Sequence, residues 1–445
     1  MKKKLDNYIN NIKTLEQKSK EWYAIRPFTI GGSEIATIIG RNPFNTIKSL
    51  VAEKSGIKES FKGNINTRWG CLFEQVTREW TQLTLLIKDK IIEIGSIEGI
   101  IPGQRYSPDG LGIVQLYDEN DNIIYFMVLF EFKSPLKSIP DGSIPKHYIP
   151  QIQTGLLTIP ITEVGIFVNN CYRKCALNDI GFNMTYDNIF HSGDITKKLT
   201  KKQKIEEVFA CGIICFYQTI EYYKLALSIL GYDSDSEDLE DNIIDNTILY
   251  DFEYNQSSEK YADIYDSNIL IETRENIIDF GIKKEPLLNR LLELLQENRV
   301  CAIYYPMILN QSSINNLEFI QTHKKEKNIS NVKPTEIVNS YIQEFFQQCE
   351  NNKTYPIGIL PWKLVKSDII AEMPDEKWKE IIETPIKEVL GIINNIVSSN
   401  NPKHIYNKHF PETIFDDINE EDSNVIYESA INMDNPFKNN IDDSD

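Results

Sequence analysis

The sequence predicts an α/β (α+β) fold over residues 1–218, a mixed β-sheet flanked by helices. Three observations predict it. Two apolar runs, Leu111 to Tyr117 and Ile123 to Lys133, bracket Asp118-Glu119-Asn120-Asp121-Asn122, whose residues favour a turn, so the pair reads as a β-hairpin. Trp69, Leu72, Phe73, Val76, Trp80 and Leu83 recur at the spacing of one helix face. Further apolar runs alternate with helical patterns, and elements in that order bury their apolar faces as helices laid on a sheet.

Taken in chain order, residues 1–20 suggest a short polar helix, and Ser33 to Ile39 a second one, with Ser33 as its N-cap and Gly40 closing it. Gly31-Gly32-Ser33 lets backbone approach an anion closely, and a helix start offers unpaired N–H groups to it. The helix from Trp69 to Leu83 carries Glu74 and Arg78 on its polar face. A strand over Ile91–Ile101 precedes the hairpin. Pro145 to Leu157 then reads as a helix, and Glu163–Asn169 and Ala210–Phe216 as strands. Residues 219–245 form an acidic linker around Asp233 to Asp241.

Residues 246–396 read as a mixed C-terminal extension, with helices at Lys284–Leu295 and Trp378–Ile396 and a strand at Val300–Leu309. Within it, Ile359-Leu360-Pro361-Trp362-Lys363 is an apolar-aromatic cluster, read as a packing hinge rather than a partner surface. Residues 397–445 read as a disordered acidic tail. From Pro411 onward, eleven acids stand against one lysine in 35 residues.

Composition narrows the class. With 41% hydrophobic residues in 445, the chain can bury a core. No apolar stretch approaches the roughly 18 residues of a membrane helix, so no membrane span is expected. Lys2-Lys3-Lys4 leads into Leu5-Asp6-Asn7, not an apolar secretory segment. Seven scattered cysteines fit reduced thiols inside a cell. Cys211 and Cys215 lie four apart in a strand, about 13 Å from one another, too far to share a zinc ion; with Cys171 and Cys175 they read as core residues. The net charge of −18 argues against a nucleic-acid partner until its distribution is seen. Residues 1–200 hold 24 Lys+Arg against 21 Asp+Glu, and the other 245 hold 23 against 44. The acidity belongs to the second half.

The chemistry-bearing residues lie on the hairpin. If Tyr117 pairs with Ile123, antiparallel partners have numbers summing to 240, which sets Asp109 opposite Glu131 with Cβ atoms about 5 Å apart. Two carboxylates at that distance repel unless something positive stands between them. A hard divalent cation with oxygen ligands, Mg²⁺ or Mn²⁺, is the natural neutraliser. Lys133 points to the same face, where its ammonium can polarise a water and screen charge on phosphorus. An ordinary Glu131–Lys133 salt bridge on a surface strand is the plainer alternative. Against it, Ile123 to Phe130 is apolar throughout, which predicts a central strand buried on both faces.

Asp109-Gly110 followed by Glu131-Phe132-Lys133-Ser134-Pro135 resembles the core of the PD-(D/E)xK nucleases, and within them the lambda-exonuclease or YqaJ-like viral recombinase group. Trp22 to Arg26 and Ile30 to Glu34 look like that group's N-terminal signature. Trp69 to Glu74 is similar to the helix supplying its first acid, and Tyr148 to Leu156 to the helix after its core. The Ser-Pro after the lysine and the Pro-Gln-Ile-Gln helix are similar to the lambda-type exonucleases of large nucleocytoplasmic DNA viruses. The resemblance spans about residues 20–218 and implies a restriction-endonuclease-like sheet.

It further implies that Glu74, Asp109 and Glu131, with the Phe132 carbonyl, hold two Mg²⁺ (or Mn²⁺) ions. Lys133 then assists the water, Gln151 orients the catalytic end, and Arg26, Gly32 and Ser33 grip a terminal 5′-phosphate. Lys137 is a further phosphate candidate through its nearness to the strand. The implied activity is 5′-to-3′ exonuclease action on linear double-stranded DNA with 5′-phosphate ends, in viral recombination, repair or processing. It places the protein in the host cytoplasm, in a viral factory, or in the virion. It also admits a homo-oligomer and a single-strand-annealing recombination protein as partners. Plainer roles stand beside these: Glu74 as a surface acid paired with Arg78, Ser33 as a cap, Gln151 and Gln153 as exposed helix residues, His147 as a packed ring. A structure-selective endonuclease on the same core and a catalytically silent DNA-binding scaffold stay open, and the complete set of acids and lysine counts against the latter.

Overall fold

A computed structural model of the chain describes residues 1–85, 87, 89–117, 123–177, 180, 188–191, 208–219, 226, 229–231, 277–313, 316–321 and 334–411. The turn expected at Asp118–Asn122, the acidic run at Asp233–Asp241 and the chain after residue 411 lie outside them.

The N-terminal part runs α1 (Lys2–Asn11), β1 (Thr14–Leu15), α2 (Lys20–Ile25), β2 (Ile30–Gly31), α3 (Ile35–Ile38), α4 (Ile47–Lys54), α5 (Ile65–Thr84), β3 (Ser96–Glu98) and β4 (Gln104–Tyr106). The helix expected over residues 1–20 is α1, which ends at Asn11, and a separate helix, α2, begins at Lys20. Lys18 takes a positive φ of 64° between them, and Ser19 starts α2 by accepting the Trp22 N–H at 3.2 Å. The four short strands form one small sheet in the order β1-β3-β4-β2. The strand expected over residues 91–101 shrinks to β3 and an isolated bridge from Ile92 to Leu111. At Gly95 a Cβ would stand 2.4 Å from the Leu15 carbonyl oxygen, so the backbones meet there more closely than a side chain allows.

The large sheet begins with β5 (Gly110–Tyr117) and β6 (Ile123–Lys133), followed by α6 (Ile149–Thr158), β7 (Val164–Lys174), β8 (Asn188–His191) and β9 (Val208–Thr219). After these come β10 (Ile278–Asp279), α7 (Glu285–Gln296), β11 (Cys301–Ser313), β12 (Asn316–Gln321), α8 (Pro334–Asn352), β13 (Thr354–Glu372), α9 (Trp378–Val397) and α10 (Pro402–His409). The hairpin has the expected register, Tyr117 on Ile123 through Gly110 on Phe130. β6 then pairs parallel with β7, and α6 makes the crossover. On one face, α5 sets Phe73 against Tyr172 at 4.5 Å and Trp362 at 5.7 Å between ring centres. On the other, Ile152 and Leu156 of α6 pack with Met127, Leu129 and Phe167.

Two expectations need correction. β6 is buried on both faces only from Met127 to Phe132, while Ile124 and Tyr125 are exposed, because its neighbour β5 is the sheet edge. And the sheet does not stop near residue 218. Its order is β12-β11-β9-β13-β7-β6-β5, so β13 lies between β7 and β9, antiparallel to both. β7 is buried along most of its length and needs an apolar neighbour on each edge; Ile359 to Trp362, expected as a hinge, supply it. The C-terminal helices are equally integral. Ile382, Ile386, Val389 and Ile393 of α9 pack on Ile30, Ile35, Leu50 and Val51. The expected tail begins with α10, whose buried Tyr406 donates its hydroxyl to the Lys48 carbonyl at 3.2 Å.

Cys171, Cys211 and Cys215 lie buried in core strands, and Cys175 is buried directly after β7. Among the described residues no helix is long and apolar enough to cross a membrane.

Candidate active site

The register carries the acids to one end of the sheet. Continuing the pairing one residue beyond Gly110 and Phe130 brings Asp109 against Glu131, and Asp109 Oδ2 accepts the Phe132 N–H at 2.8 Å. Glu131 is fully buried. Its Oε1 accepts a short hydrogen bond from the Lys133 ammonium, which also stands 4.0 Å from Asp109 Oδ2. Its Oε2 accepts from the Tyr106 hydroxyl at 3.3 Å.

Burial, and then the charge of Asp109, push the Glu131 carboxyl up to about 8 despite the bond from Lys133. Burial also works against the charge on Lys133, yet Glu131 and Asp109 outweigh it and hold the side chain as an ammonium. One buried carboxylate thus faces a second one across a single cation. A further hard cation would relieve that repulsion, which is how this donor set fits a divalent metal.

Glu74, on α5, approaches from the side. Burial and the Asp109 charge raise its pKa, and Arg78 one turn on donates to its Oε1 at 3.3 Å. The plain i,i+4 pairing is therefore present, and Arg78 binds Glu93 as well. Among the described residues no three acidic, histidine or cysteine groups converge closely enough to form a metal-ligand set, so Glu74 does not close a triad with Asp109 and Glu131.

Beside the acids lies a cleft of about 220 Å³ whose lining includes Arg26, Gly32, Ser33, Arg105, Tyr106 and Gln151. Arg26 lies over the Trp22 ring, 5.0 Å from its centre. Ser33 is not the N-cap expected of it. Gly32–Glu34 form a 3₁₀ turn ahead of α3, and the Glu34 carboxylate accepts the Gly31 N–H at 2.8 Å. Ser33 instead stands exposed among the residues that line the cleft. The nearly buried Lys54 braces the loops, pairing with Glu34 at 2.9 Å and donating to the carbonyls of Arg26 and Thr29 at 3.0 and 2.7 Å.

The structure thus brings Arg26, Gly32, Ser33 and Gln151 together and sets Asp109, Glu131, Phe132 and Lys133 beside them. Lys137 is not among the cleft-lining residues, and its carbonyl accepts from Arg173 at 3.0 Å. Gln153 is buried, not exposed, and ties α6 to the end of β13 through Glu372 and Met373. His147 is half-buried, with its ring centre 4.1 Å from that of Tyr148 and 5.2 Å from that of Phe44. Sequence reading passed over Tyr106, Lys54 and Arg105. Tyr106 had a local signal, since it stands directly before Ser107-Pro108-Asp109; the other two had none, because a lysine or arginine alone reads as a solvated charge.

Residues 21–162 match the model of the YqaJ-like viral recombinase domain. A curated protein of African swine fever virus is 36% identical over 188 residues in both the Pretoriuskop Pr4/1996 isolate and the Vero-adapted Badajoz 1971 strain; the match covers 38% of this chain. The chain spans about half the length of these curated relatives, 53%. An alkaline exonuclease (LHK-Exo) from Laribacter hongkongensis overlaps 34% of this chain and 74% of its own, at 21% identity and a TM-score of 0.27. Its complex with dAMP gives 0.26.

Proposed function

We propose, from the site built within residues 21–162, which match the YqaJ-like viral recombinase domain, that the chain is a metal-dependent deoxyribonuclease, a 5′-to-3′ exonuclease on linear double-stranded DNA. One observation carries the reading. Asp109, Glu131 and the Lys133 ammonium meet at the end of two antiparallel strands, beside a cleft lined by Arg26, Gly32 and Ser33. Acids and a lysine suit hydrolysis of a phosphodiester; an arginine beside backbone N–H groups suits a phosphate monoester.

Asp109 and Glu131, with the Phe132 carbonyl, would hold Mg²⁺ or Mn²⁺, two ions in this reading, and Glu74 would join them only by leaving Arg78 and moving in from α5. Bound there, the metal supplies Lewis acidity and lowers the pKa of water. Lys133, held as an ammonium, orients the attacking water and screens charge gathering on the phosphate oxygens. Arg26 and Ser33 seat the terminal 5′-phosphate, so the next phosphodiester lies toward the acids, with Gln151 and Tyr106 at the junction. With 24 Lys+Arg against 21 Asp+Glu, residues 1–200 escape the acidity of the rest of the chain and can meet DNA on that side.

The test compares linear duplexes bearing 5′-phosphate or 5′-hydroxyl ends, and a closed circular duplex, in Mg²⁺ and in EDTA. The reading expects Mg²⁺-dependent release of nucleotides from linear DNA, faster with 5′-phosphate, and none from circles. Cleavage of circles would turn it toward an endonuclease, and no cleavage in Mg²⁺ or Mn²⁺ toward a binding scaffold.

A further inference from the structure

The cleft and the acids meet through one side chain. Tyr106 lies on β4, only 1% exposed, and its ring is walled in by two glycines. A Cβ on Gly32 would fall 2.4 Å from its Cδ2, and one on Gly155 of α6 would fall 2.4 Å from its Cζ and 2.6 Å from its hydroxyl oxygen. No side chain fits at either place, so both backbones rest directly on the ring. Gly32 belongs to the anion cleft, and the Tyr106 hydroxyl donates to Glu131 Oε2 at 3.3 Å. Lys133 holds the other oxygen, so both oxygens of that carboxylate are restrained.

Core packing alone does not need this phenol, since a phenylalanine fills the same space without burying a hydroxyl beside a carboxylate. Close-packed groups also pass displacement on instead of absorbing it. A phosphate held on the Gly31-Gly32-Ser33 backbone would bear on the Tyr106 ring, which Gly155 backs and whose hydroxyl reaches Glu131.

We infer that Tyr106 is a positioning residue that orients Glu131 and transmits occupancy of the Arg26–Gly32–Ser33 cleft to it, making cleavage respond to a 5′-phosphate on the DNA end. The inference rests on the nuclease reading above. Its test uses the full-length chain and Tyr106→Phe, measuring kcat and KM on 5′-phosphorylated and 5′-hydroxyl linear duplexes in Mg²⁺, with thermal unfolding alongside. The expected result is a kcat about tenfold lower on phosphorylated ends, the loss of one hydrogen bond to a charged group. KM and Tm stay near wild type, and the rate advantage of phosphorylated over hydroxyl ends collapses toward one.

A wild type that cuts no DNA refutes the nuclease reading itself. A cutting wild type with an unaltered Tyr106→Phe variant overturns the inference and leaves Tyr106 a core residue. An equal fall on both kinds of end overturns the transmission. Should Tyr106→Phe lower Tm, a cycle with Arg26→Ala decides: coupling predicts that the double variant loses no more on phosphorylated ends than the worse single variant, and additive losses overturn it.

Discussion

The hairpin of β5 and β6 and the strand β13 sit in one sheet, yet they hold it in opposite ways. The hairpin is at the edge, and its charged residues gather at one end, where Asp109, Glu131 and Lys133 meet. β13 lies in the middle, joins β7 to β9, and contributes Trp362 to the rings under α5. The acids therefore come from a part of the sheet that few strands support, while the rigidity that aims them is supplied by residues more than two hundred positions later. Chemistry concentrates where strands end; stability concentrates where they are flanked on both sides.

The largest expected effect separates these two roles. On the proposed nuclease reading, Glu131→Gln and Asp109→Asn should each lower the Mg²⁺-dependent rate by about a thousandfold, since each removes a carboxyl group that would hold the metal. Asp109→Asn should not lower the urea midpoint, because the amide oxygen can still accept the Phe132 N–H and the charge that bears on the buried Glu131 carboxyl is gone. Initial rates and urea unfolding on the same preparations check both halves. A variant that loses activity only because it unfolds would show the hairpin end to be structural.

Trp362→Ala should do the reverse. The ring is fully buried against Phe73 and Tyr172, so its removal opens a cavity costing about 3–5 kcal/mol. Urea unfolding reads that cost, while the folded fraction should keep wild-type KM for DNA. A loss below about 1 kcal/mol would mean that β13 is not the spine of the sheet.

The hairpin was legible and β13 was not, for reasons visible in their residues. Asp118 to Asn122 is a turn composition between two apolar runs, and register then follows by counting, so Asp109 and Glu131 could be set face to face before any coordinates. β13 instead contains Pro356, Gly358 and Pro361 within 19 residues, a pattern that ordinarily breaks a central strand. Register shifts between Pro356 and Gly358 and between Leu364 and Lys366 absorb the irregularity, and no local rule announces a bulge. The cleft lay between these extremes. Its glycines and Arg26 stand out in sequence, but Tyr106 and Lys54 reach it only through the tertiary approach of β4 and α4. Ser33 misled because a serine before an apolar run reads as a cap, and Glu34 made the backbone contact instead.

A smaller effect probes the charge at the hairpin end. Metal-free Glu131 keeps its proton up to about pH 8, so a metal must displace that proton below this value and not above it. Mn²⁺ affinity measured by calorimetry should therefore fall about tenfold per pH unit below 8, with a proton released on binding, and level off above. Glu131→Gln should flatten the profile. The linked sign for folding is the same: the native state takes up this proton before the unfolded chain does, so the metal-free protein gains stability as pH falls from about 8 toward 4.5. An affinity independent of pH between 6 and 8 would show that Glu131 gives up no proton to the metal over that range.

The smallest effect is the finest test of the contrast, because it compares two residues on one helix turn. Gln151 and Gln153 are two apart on α6, about 200° around the helix from each other. Gln151 lines the cleft, whereas Gln153 donates to Glu372 at 2.8 Å and the Met373 carbonyl at 2.7 Å and accepts the Asp375 N–H at 2.8 Å. Gln153 thus clamps the exit of β13 where the chain turns into α9. Gln153→Ala should cost about 1–3 kcal/mol in urea unfolding, for buried polar groups left unpaired, with cleavage by the folded protein within about twofold of wild type. Gln151→Ala should leave the unfolding midpoint alone and slow cleavage. If both variants act on stability, or both on rate, the helix does not divide the site from the frame, and the separation between hairpin end and central strand fails at the one element that touches both.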